Sequence, residues 1–136
     1  MGQCSIIIPT RERPKLLRRA VESALAALPA DGEVIVVDDA SETPADEVLA
    51  DFEDPRLRTL INPTALRGGG SPSRNRGAEA SKGDILFFLD DDDQMEPDYC
   101  ARILDGAVPQ GADFGFSARL FRFEPEDGPA TEQVET

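Results

Sequence analysis

The sequence predicts an α/β fold in which helices cover both faces of a mostly parallel sheet. Short apolar, β-branched runs alternate along the chain with segments of helical periodicity. Several of these runs are apolar at every position, which is typical of strands buried on both faces of a parallel sheet. The length of 136 residues suits one domain of this class.

The first half of the chain contains two predicted strand–helix pairs. Cys4 to Ile8 is apolar and β-branched, which predicts a strand. Pro14 to Leu28 is predicted to be helical, because its apolar residues recur at a 3.6-residue spacing and proline suits the first turn. Glu33 to Val37 is the second predicted strand. A second helix is expected to open at Thr43-Pro44 and to end near Phe52.

The second half continues the alternation. Arg56 to Ile61 is the third predicted strand, and a glycine-rich loop follows it. A helix is predicted from Pro72 to Ser81, with Ser71 as its cap. Ile85 to Leu89, fully apolar, is the fourth predicted strand.

The end of the chain changes in composition. Pro97 to Ala107 is predicted to be helical, and Phe114 to Phe123 a last strand. We assign residues 1–123 to one domain and residues 124–136, which are acidic and contain proline, to a loose tail.

The composition excludes several kinds of partner. A net charge of −13 makes nucleic acid and anionic membrane surfaces poor partners. No apolar run approaches the roughly 20 residues that span a bilayer. We see no signal peptide and expect a cytoplasmic protein with reduced thiols at Cys4 and Cys100. Because histidine is absent, any metal must be held by oxygen, which favours Mg²⁺ or Mn²⁺.

The ends of the predicted strands carry the candidate site. Ligands of open parallel sheets bind beyond the carboxyl ends of the strands. Here those ends carry Pro9 to Arg13, Asp38-Asp39, the loop with Gly68-Gly69-Gly70, and Asp90 to Asp93. If the fold is as predicted, these four segments converge at one edge of the sheet.

The four consecutive aspartates, Asp90 to Asp93, are the strongest feature. Two carboxylates about 4 Å apart repel by about 1 kcal/mol in water and by about 4 kcal/mol at an effective dielectric of about 20. A cation among them would remove this cost. In extended chain Asp90 and Asp92 face one side, and Asp91 and Asp93 the other. The alternative is a solvated acidic turn without a ligand.

The other strand ends allow two interpretations each. Asp38-Asp39 is either a capping turn with Ser41 or an acceptor for a base N–H or a ribose hydroxyl. The loop with Gly68, Gly69 and Gly70 is either flexible or allows close backbone approach to a ligand, with Arg74 facing phosphate or base.

Together these segments resemble the N-terminal half of the family 2 glycosyltransferases, inverting enzymes with a Rossmann-like fold called GT-A. The resemblance spans about residues 3 to 105 and rests on the order and spacing of several short motifs. The matching motifs are Ser5 to Arg13, Val36 to Ser41, Arg74 to Gly77, Lys82 to Asp84 and Phe88 to Asp93.

The resemblance implies a nucleotide pocket for UDP or a UDP-sugar. It implies that Pro9, Thr10 and Arg11 hold the uracil and ribose, that Asp39 accepts from the uracil N–H, and that Arg74 lies near the base or phosphates. Gly70 belongs to the same predicted pocket.

The acidic element has implied roles as well. Asp92 is the first candidate metal ligand, Asp90 the next, and Asp91 a ribose contact, with Mn²⁺ or Mg²⁺ bridging the diphosphate. Glu12, which we also place in the pocket, stands where the family often has Asn, and Arg67 stands where Asn often precedes the glycines. Both departures alter the rim of the pocket.

Length is the larger departure, because the family's acceptor site and general base lie in a second half of the domain. We assign no catalytic base in this chain. Three interpretations therefore stay open: a UDP-sugar-binding domain without transferase activity of its own, a minimal active transferase completed by a second protein chain, and a non-enzymatic interaction module.

Overall fold

A four-stranded parallel sheet forms the centre of the structure, a computed structural model that describes residues 3–66, 68–106, 109–111, 113–115, 119–123 and 131–135. The sheet order is β3-β2-β1-β4, with β1 at Cys4–Thr10, β2 at Glu33–Asp39, β3 at Leu57–Asn62 and β4 at Ile85–Phe88. Each neighbouring pair is parallel, so all four carboxyl ends lie at one edge. The predicted α/β class is confirmed.

Helices cover both faces of this sheet. α1 (Pro14–Ala27), α2 (Ala45–Val48) and α4 (Tyr99–Asp105) share one core with the side chains of Ile6 and Ile8. α3 (Gly70–Ala80) lies on the other face. A Cβ at Gly77 would come within 2.5 Å of Ile7 Cγ2, so this close approach requires glycine. Among the described residues, no helix is long and apolar enough to span a bilayer.

Helix boundaries differ from the expectation in α2, in α3 and in α4, which begins at Tyr99 and not at Pro97. α2 does not reach Phe52, because the backbone beyond Val48 closes in shorter turns, with Ala50 N–H donating to Glu47 O and Phe52 N–H to Leu49 O. α3 begins at Gly70, two residues before the predicted start, and Ser71 is therefore inside the first turn. The predicted Ser71 cap is wrong, since the residue before the helix is Gly69 at φ 67°.

Residues near the end of the chain form a separate two-stranded ladder. β5 (Arg119–Phe123) pairs antiparallel with β6 (Thr131–Glu135). Regular pairing over residues 131–135 differs from the loose tail expected there. The register sets Arg122 opposite Glu132. The boundary at residue 124 stays a prediction, because residues 124–130 lie outside the described ones.

β4 presents an apolar strip on the face that α3 covers elsewhere. Its register with β1 places Leu86 opposite Ser5 and Phe88 opposite Ile7. Phe87, on the opposite face, is buried, whereas Leu86 is 36% exposed and Phe88 52% exposed. The sequence predicted a strand buried on both faces, and in the described residues only one face of β4 is covered.

Glu33 organises the opposite edge of the sheet, away from the strand ends that carry the candidate site. Its carboxylate accepts from the Ser5 hydroxyl at 2.7 Å, from Lys82 N–H at 2.6 Å and from Arg58 Nη2 at 2.9 Å. Arg58 also donates to Ala80 O, the last residue of α3. The buried carboxylate therefore joins β1, β2, β3 and the segment that leads into β4.

Glu33→Gln is expected to cost about 2 kcal/mol at neutral pH, since it weakens hydrogen bonds to a buried charge. Burial raises the pKa of Glu33, but the hydrogen bonds from Lys82, Ser5 and Arg58 outweigh it, so the pKa lies below its ordinary value. A group with a lowered folded pKa stabilises the fold above its unfolded pKa, about 4.3, and this contribution is lost as pH falls through the folded value.

Urea denaturation between pH 7 and pH 3 measures this effect. The free energy of unfolding should fall more steeply with decreasing pH for the parent than for Glu33→Gln. The exposed control variant Glu53→Gln should follow the parent curve. Parallel curves for the parent and Glu33→Gln would contradict the prediction.

Candidate functional site

The four consecutive aspartates form a turn at the end of β4, which we call the acidic turn (Asp90–Asp93). Asp93 N–H donates to Asp90 O at 3.1 Å, so the chain reverses instead of continuing extended. Carboxylate oxygens of Asp90, Asp92 and Asp93 lie within 4.8 Å of one another. Asp90 and Asp92 come together as predicted. The placement of Asp93 on the other side is wrong, because a turn brings residue i+3 back to residue i.

Two arginines pair with this carboxylate group. Arg74 Nη2 lies 2.8 Å from Asp90 Oδ1, and Arg13 Nη1 lies 3.2 Å from Asp92 Oδ2. All four side chains are between one-third and about one-half exposed, so each pair stabilises the fold by less than about 1 kcal/mol. The donor set consists only of oxygen atoms, which fits Mg²⁺ or Mn²⁺ and not a soft cation.

Asp91 differs from its neighbours because it is buried. Its Oδ2 accepts from the Thr10 hydroxyl at 2.8 Å, and Arg13 Nη1 lies 3.4 Å from its Oδ1. Burial raises the pKa of Asp91, although the Thr10 hydroxyl, the Arg13 charge and the Arg11 backbone N–H oppose it. Asp91 thus anchors the acidic turn to the end of β1. Its ribose contact stays a prediction.

Asp38 and Asp39 have separate roles, because β2 extends through both and their side chains face opposite sides of the sheet. Asp38, fully buried, accepts from the backbone N–H groups of Ser41 and Ala45 and from the Ser41 hydroxyl. It therefore fixes the β2 loop (residues 40–44) and the start of α2. The capping-turn interpretation holds for Asp38, and Asp39 remains the candidate for a ligand.

Asp39 lies on the α3 side, where it meets the loop after β3. Its Oδ1 accepts from Leu66 N–H at 2.8 Å and from Asn62 Nδ2 at 3.3 Å. Asn62 also contacts Ser73 Oγ at 3.4 Å and accepts from Arg76. Sequence reasoning missed Asn62, although a polar residue at the carboxyl end of a strand was the available signal.

α3 connects Asp39 to the acidic turn. Ser73, which meets Asn62, is adjacent in the helix to Arg74, which reaches Asp90. The guanidinium of Arg74 also lies over Gly70, where a Cβ would be 3.0 Å from Nη1. Gly70, Arg74 and Asp90 are thus brought together. Arg67 lies outside the described residues.

The β1 loop (residues 11–13) places Glu12 apart from this group. Pro9 is buried in β1 opposite Val37, and Arg11 is exposed. The backbone N–H of Glu12 donates to Ser41 Oγ at 2.9 Å, and its carboxylate accepts from Glu42 N–H. Glu12 therefore contacts the β2 loop on the Asp38 side of the sheet.

A family model described as glycosyl transferase family 2 matches residues 5–130. The succinoglycan biosynthesis protein ExoO of Rhizobium meliloti (strain 1021) is 42% identical over 94 residues, which cover 69% of this chain and 26% of that protein. The GalNAc(5)-diNAcBac-PP-undecaprenol beta-1,3-glucosyltransferase of Campylobacter jejuni subsp. jejuni serotype O:2 is 32% identical, covering 70% of this chain and 31% of that protein. The chain thus spans about a third or less of the length of these relatives.

Solved structures show the same fold. S. aureus TarS 1-349 in complex with UDP superposes with a TM-score of 0.66 at 26% identity, covering 77% of this chain and 33% of that one. The mannosyltransferase PcManGT from Pyrobaculum calidifontis, in complex with GDP-Man and Mn²⁺, also gives a TM-score of 0.66, at 24% identity over 86% of this chain and 34% of its own.

Proposed function

The chain belongs to glycosyl transferase family 2 and has the α/β sheet of the GT-A fold, and we propose that it binds UDP or a UDP-sugar through a divalent cation. The proposal rests on one observation: carboxylates crowd at the carboxyl edge of the sheet, with arginines beside them. Such an edge suits a ligand that brings a diphosphate and a doubly charged ion together. We propose that the protein acts in the cytoplasm.

Asp92 and Asp90 would hold the cation, Mn²⁺ or Mg²⁺, and Asp93 is a third oxygen donor in the same group. The ion would neutralise the diphosphate. A ligand there would meet Arg74 and Arg13, which now pair with the aspartates and can turn to phosphate oxygens. Local positive charge of this kind lets a chain of net charge −13 accept an anion.

Asp39 would bind the base, and the carboxyl end of β1 would lie on the other side of the nucleoside. In the described part of the chain, the hydrogen bonds of Asp39 go to Oδ1, so Oδ2 is available to accept from the uracil N3–H. The likeness to TarS bound to UDP supports uridine as the nucleoside. Pro9, Thr10 and Arg11 would line the pocket, with Asp91 near the ribose.

Isothermal titration calorimetry with UDP, GDP, CDP and pyrophosphate, each with Mn²⁺ and with EDTA, tests the proposal. We expect UDP to bind with Mn²⁺ present and to lose most of its affinity with EDTA. A folded chain that gives no heat with millimolar UDP and Mn²⁺ would rule the proposal out and favour an interaction module.

Asp39→Asn is expected to weaken UDP binding about tenfold or more, because hydrogen bonds to charged groups contribute about 1.5–3 kcal/mol. Asparagine can keep its oxygen toward Leu66 N–H while its NH₂ group meets the uracil N3–H donor. Pyrophosphate binding should not change. Cytosine presents an acceptor at N3, so CDP should lose less affinity than UDP. Equal losses for UDP and pyrophosphate would exclude a base contact at Asp39.

A further inference from the structure

Glu12 has a backbone conformation that its residue type disfavours. Its φ is 57°, and Ala40, in the loop that faces it, has a φ of 58°. A left-handed conformation is unfavourable for a non-glycine residue, and surrounding contacts must offset its cost. Two such residues on facing loops indicate that the two loops hold each other in place.

The contacts between the loops come from both ends of Glu12. Its backbone N–H donates to Ser41 Oγ, and its carboxylate accepts from the backbone N–H of Glu42. The Ser41 hydroxyl donates a hydrogen bond to Asp38 Oδ1, and Asp38 Oδ2 accepts from Ala45 N–H. A continuous chain of hydrogen bonds therefore runs from the β1 loop to the start of α2.

This chain of hydrogen bonds connects the two loops that follow the two sides of the proposed nucleoside pocket. Thr10 and the Arg11 backbone, just before Glu12, bind Asp91. Asp39 is the last residue of β2, and the β2 loop that follows it is held by the two contacts of Glu12. The contacts of Glu12 act just beyond the paired ends of β1 and β2, where they can adjust the spacing between these two walls.

We propose that Glu12 is a positioning residue that sets this spacing and does not itself touch the nucleotide. The proposal rests on the proposed function. A carboxylate pointing at a diphosphate would repel it, whereas the carboxylate of Glu12 is engaged by a backbone N–H of the β2 loop. The acceptor oxygen, and not the negative charge, is what this role requires.

Three variants separate the backbone conformation, the acceptor and the charge. Glu12→Gly relieves the positive φ but removes the acceptor, Glu12→Gln keeps an acceptor and removes the charge, and Glu12→Ala keeps the strain and removes the acceptor. Glu53→Gly removes an exposed carboxylate elsewhere and serves as the charge control. Melting temperature and the Kd values for UDP and for pyrophosphate, each with Mn²⁺, are measured for all of them.

For Glu12→Gly we expect an unchanged or higher melting temperature and a Kd for UDP raised about fivefold, the size of one neutral hydrogen bond. Glu12→Gln should bind UDP within about twofold of the parent, and Glu12→Ala should lose both stability and affinity. Pyrophosphate affinity should stay the same in all variants. Opposite changes in stability and UDP affinity are not produced by a merely structural role.

Some outcomes would overturn the role of Glu12 alone. They are a parent that binds UDP no better than Glu12→Gly, a Glu12→Gln variant as weak as Glu12→Gly, or pyrophosphate losses equal to those for UDP. A parent chain that is folded but binds no UDP would overturn the proposed function, and the role of Glu12 with it.

Discussion

Asp92→Ala is expected to abolish Mn²⁺-dependent UDP binding, with a loss of more than about 100-fold in affinity. Even partners outside the coordination sphere typically contribute about 10–100-fold to metal affinity, so a direct ligand should contribute more. Asp92 shares the acidic turn with Asp90 and Asp93, whose oxygens lie within 4.8 Å. Calorimetry of UDP in saturating Mn²⁺ measures the loss, and electron paramagnetic resonance of Mn²⁺ reports binding of the ion without nucleotide.

The same variant should melt at an unchanged or higher temperature in metal-free buffer. Removing one of three neighbouring negative charges relieves repulsion. The lost contact with Arg13 is weak, because both side chains are about half-exposed. Asp31→Ala, an exposed carboxylate near the amino end of β2, is the matched control and should retain UDP binding. A large loss of metal-free stability in Asp92→Ala, or a Kd within threefold of the parent, would contradict this prediction.

Asp38→Ala is expected to lower the free energy of unfolding by about 3 kcal/mol. The variant removes the acceptor for two backbone N–H groups and one hydroxyl at a position with no exposed surface. Donors left without a partner inside a protein cost about 1–3 kcal/mol each, and partial access of water to the β2 loop limits the sum.

Urea denaturation of the metal-free chain measures the effect of Asp38→Ala. Asp38→Asn keeps one acceptor oxygen and should lose about half as much. Glu47→Ala, on the exposed side of α2, should stay within about 0.5 kcal/mol of the parent. A loss below about 1 kcal/mol for Asp38→Ala would show that the β2 loop does not depend on this carboxylate.

The main elements of the fold could be predicted from the sequence. The middle of β1 (residues 6–8) and the middle of β2 (residues 34–37) are apolar runs, and the apolar stripe of α1 has the helical period, so local pattern and tertiary burial agree. The length of α2 was not predictable in the same way. It is set by shorter backbone turns after Val48 and by Arg18, which binds both Val48 O and Asp51.

The position of the candidate site was also predictable, because the carboxyl ends of parallel strands must meet. The separate roles of the residues within the site were not predictable. The sheet faces to which Asp38 and Asp39 point depend on where β2 ends. The grouping of Asp93 with Asp90 depends on a backbone turn, and the alternation of side chains in an extended strand does not apply to a turn. The pairing of Arg13 with Asp92 joins residues about 80 positions apart and follows only from the fold.

The exposed strip of β4 has a practical consequence for work with this chain. In the described residues β4 pairs only with β1, so its outer backbone groups are open to a strand from elsewhere, beside the solvent-facing ring of Phe88. Exposed edge strands with apolar side chains beside them promote association between copies of a protein and eventual precipitation. Dilute, cold storage and low-salt buffers that preserve mutual repulsion between acidic molecules will keep such samples usable for the titrations described above.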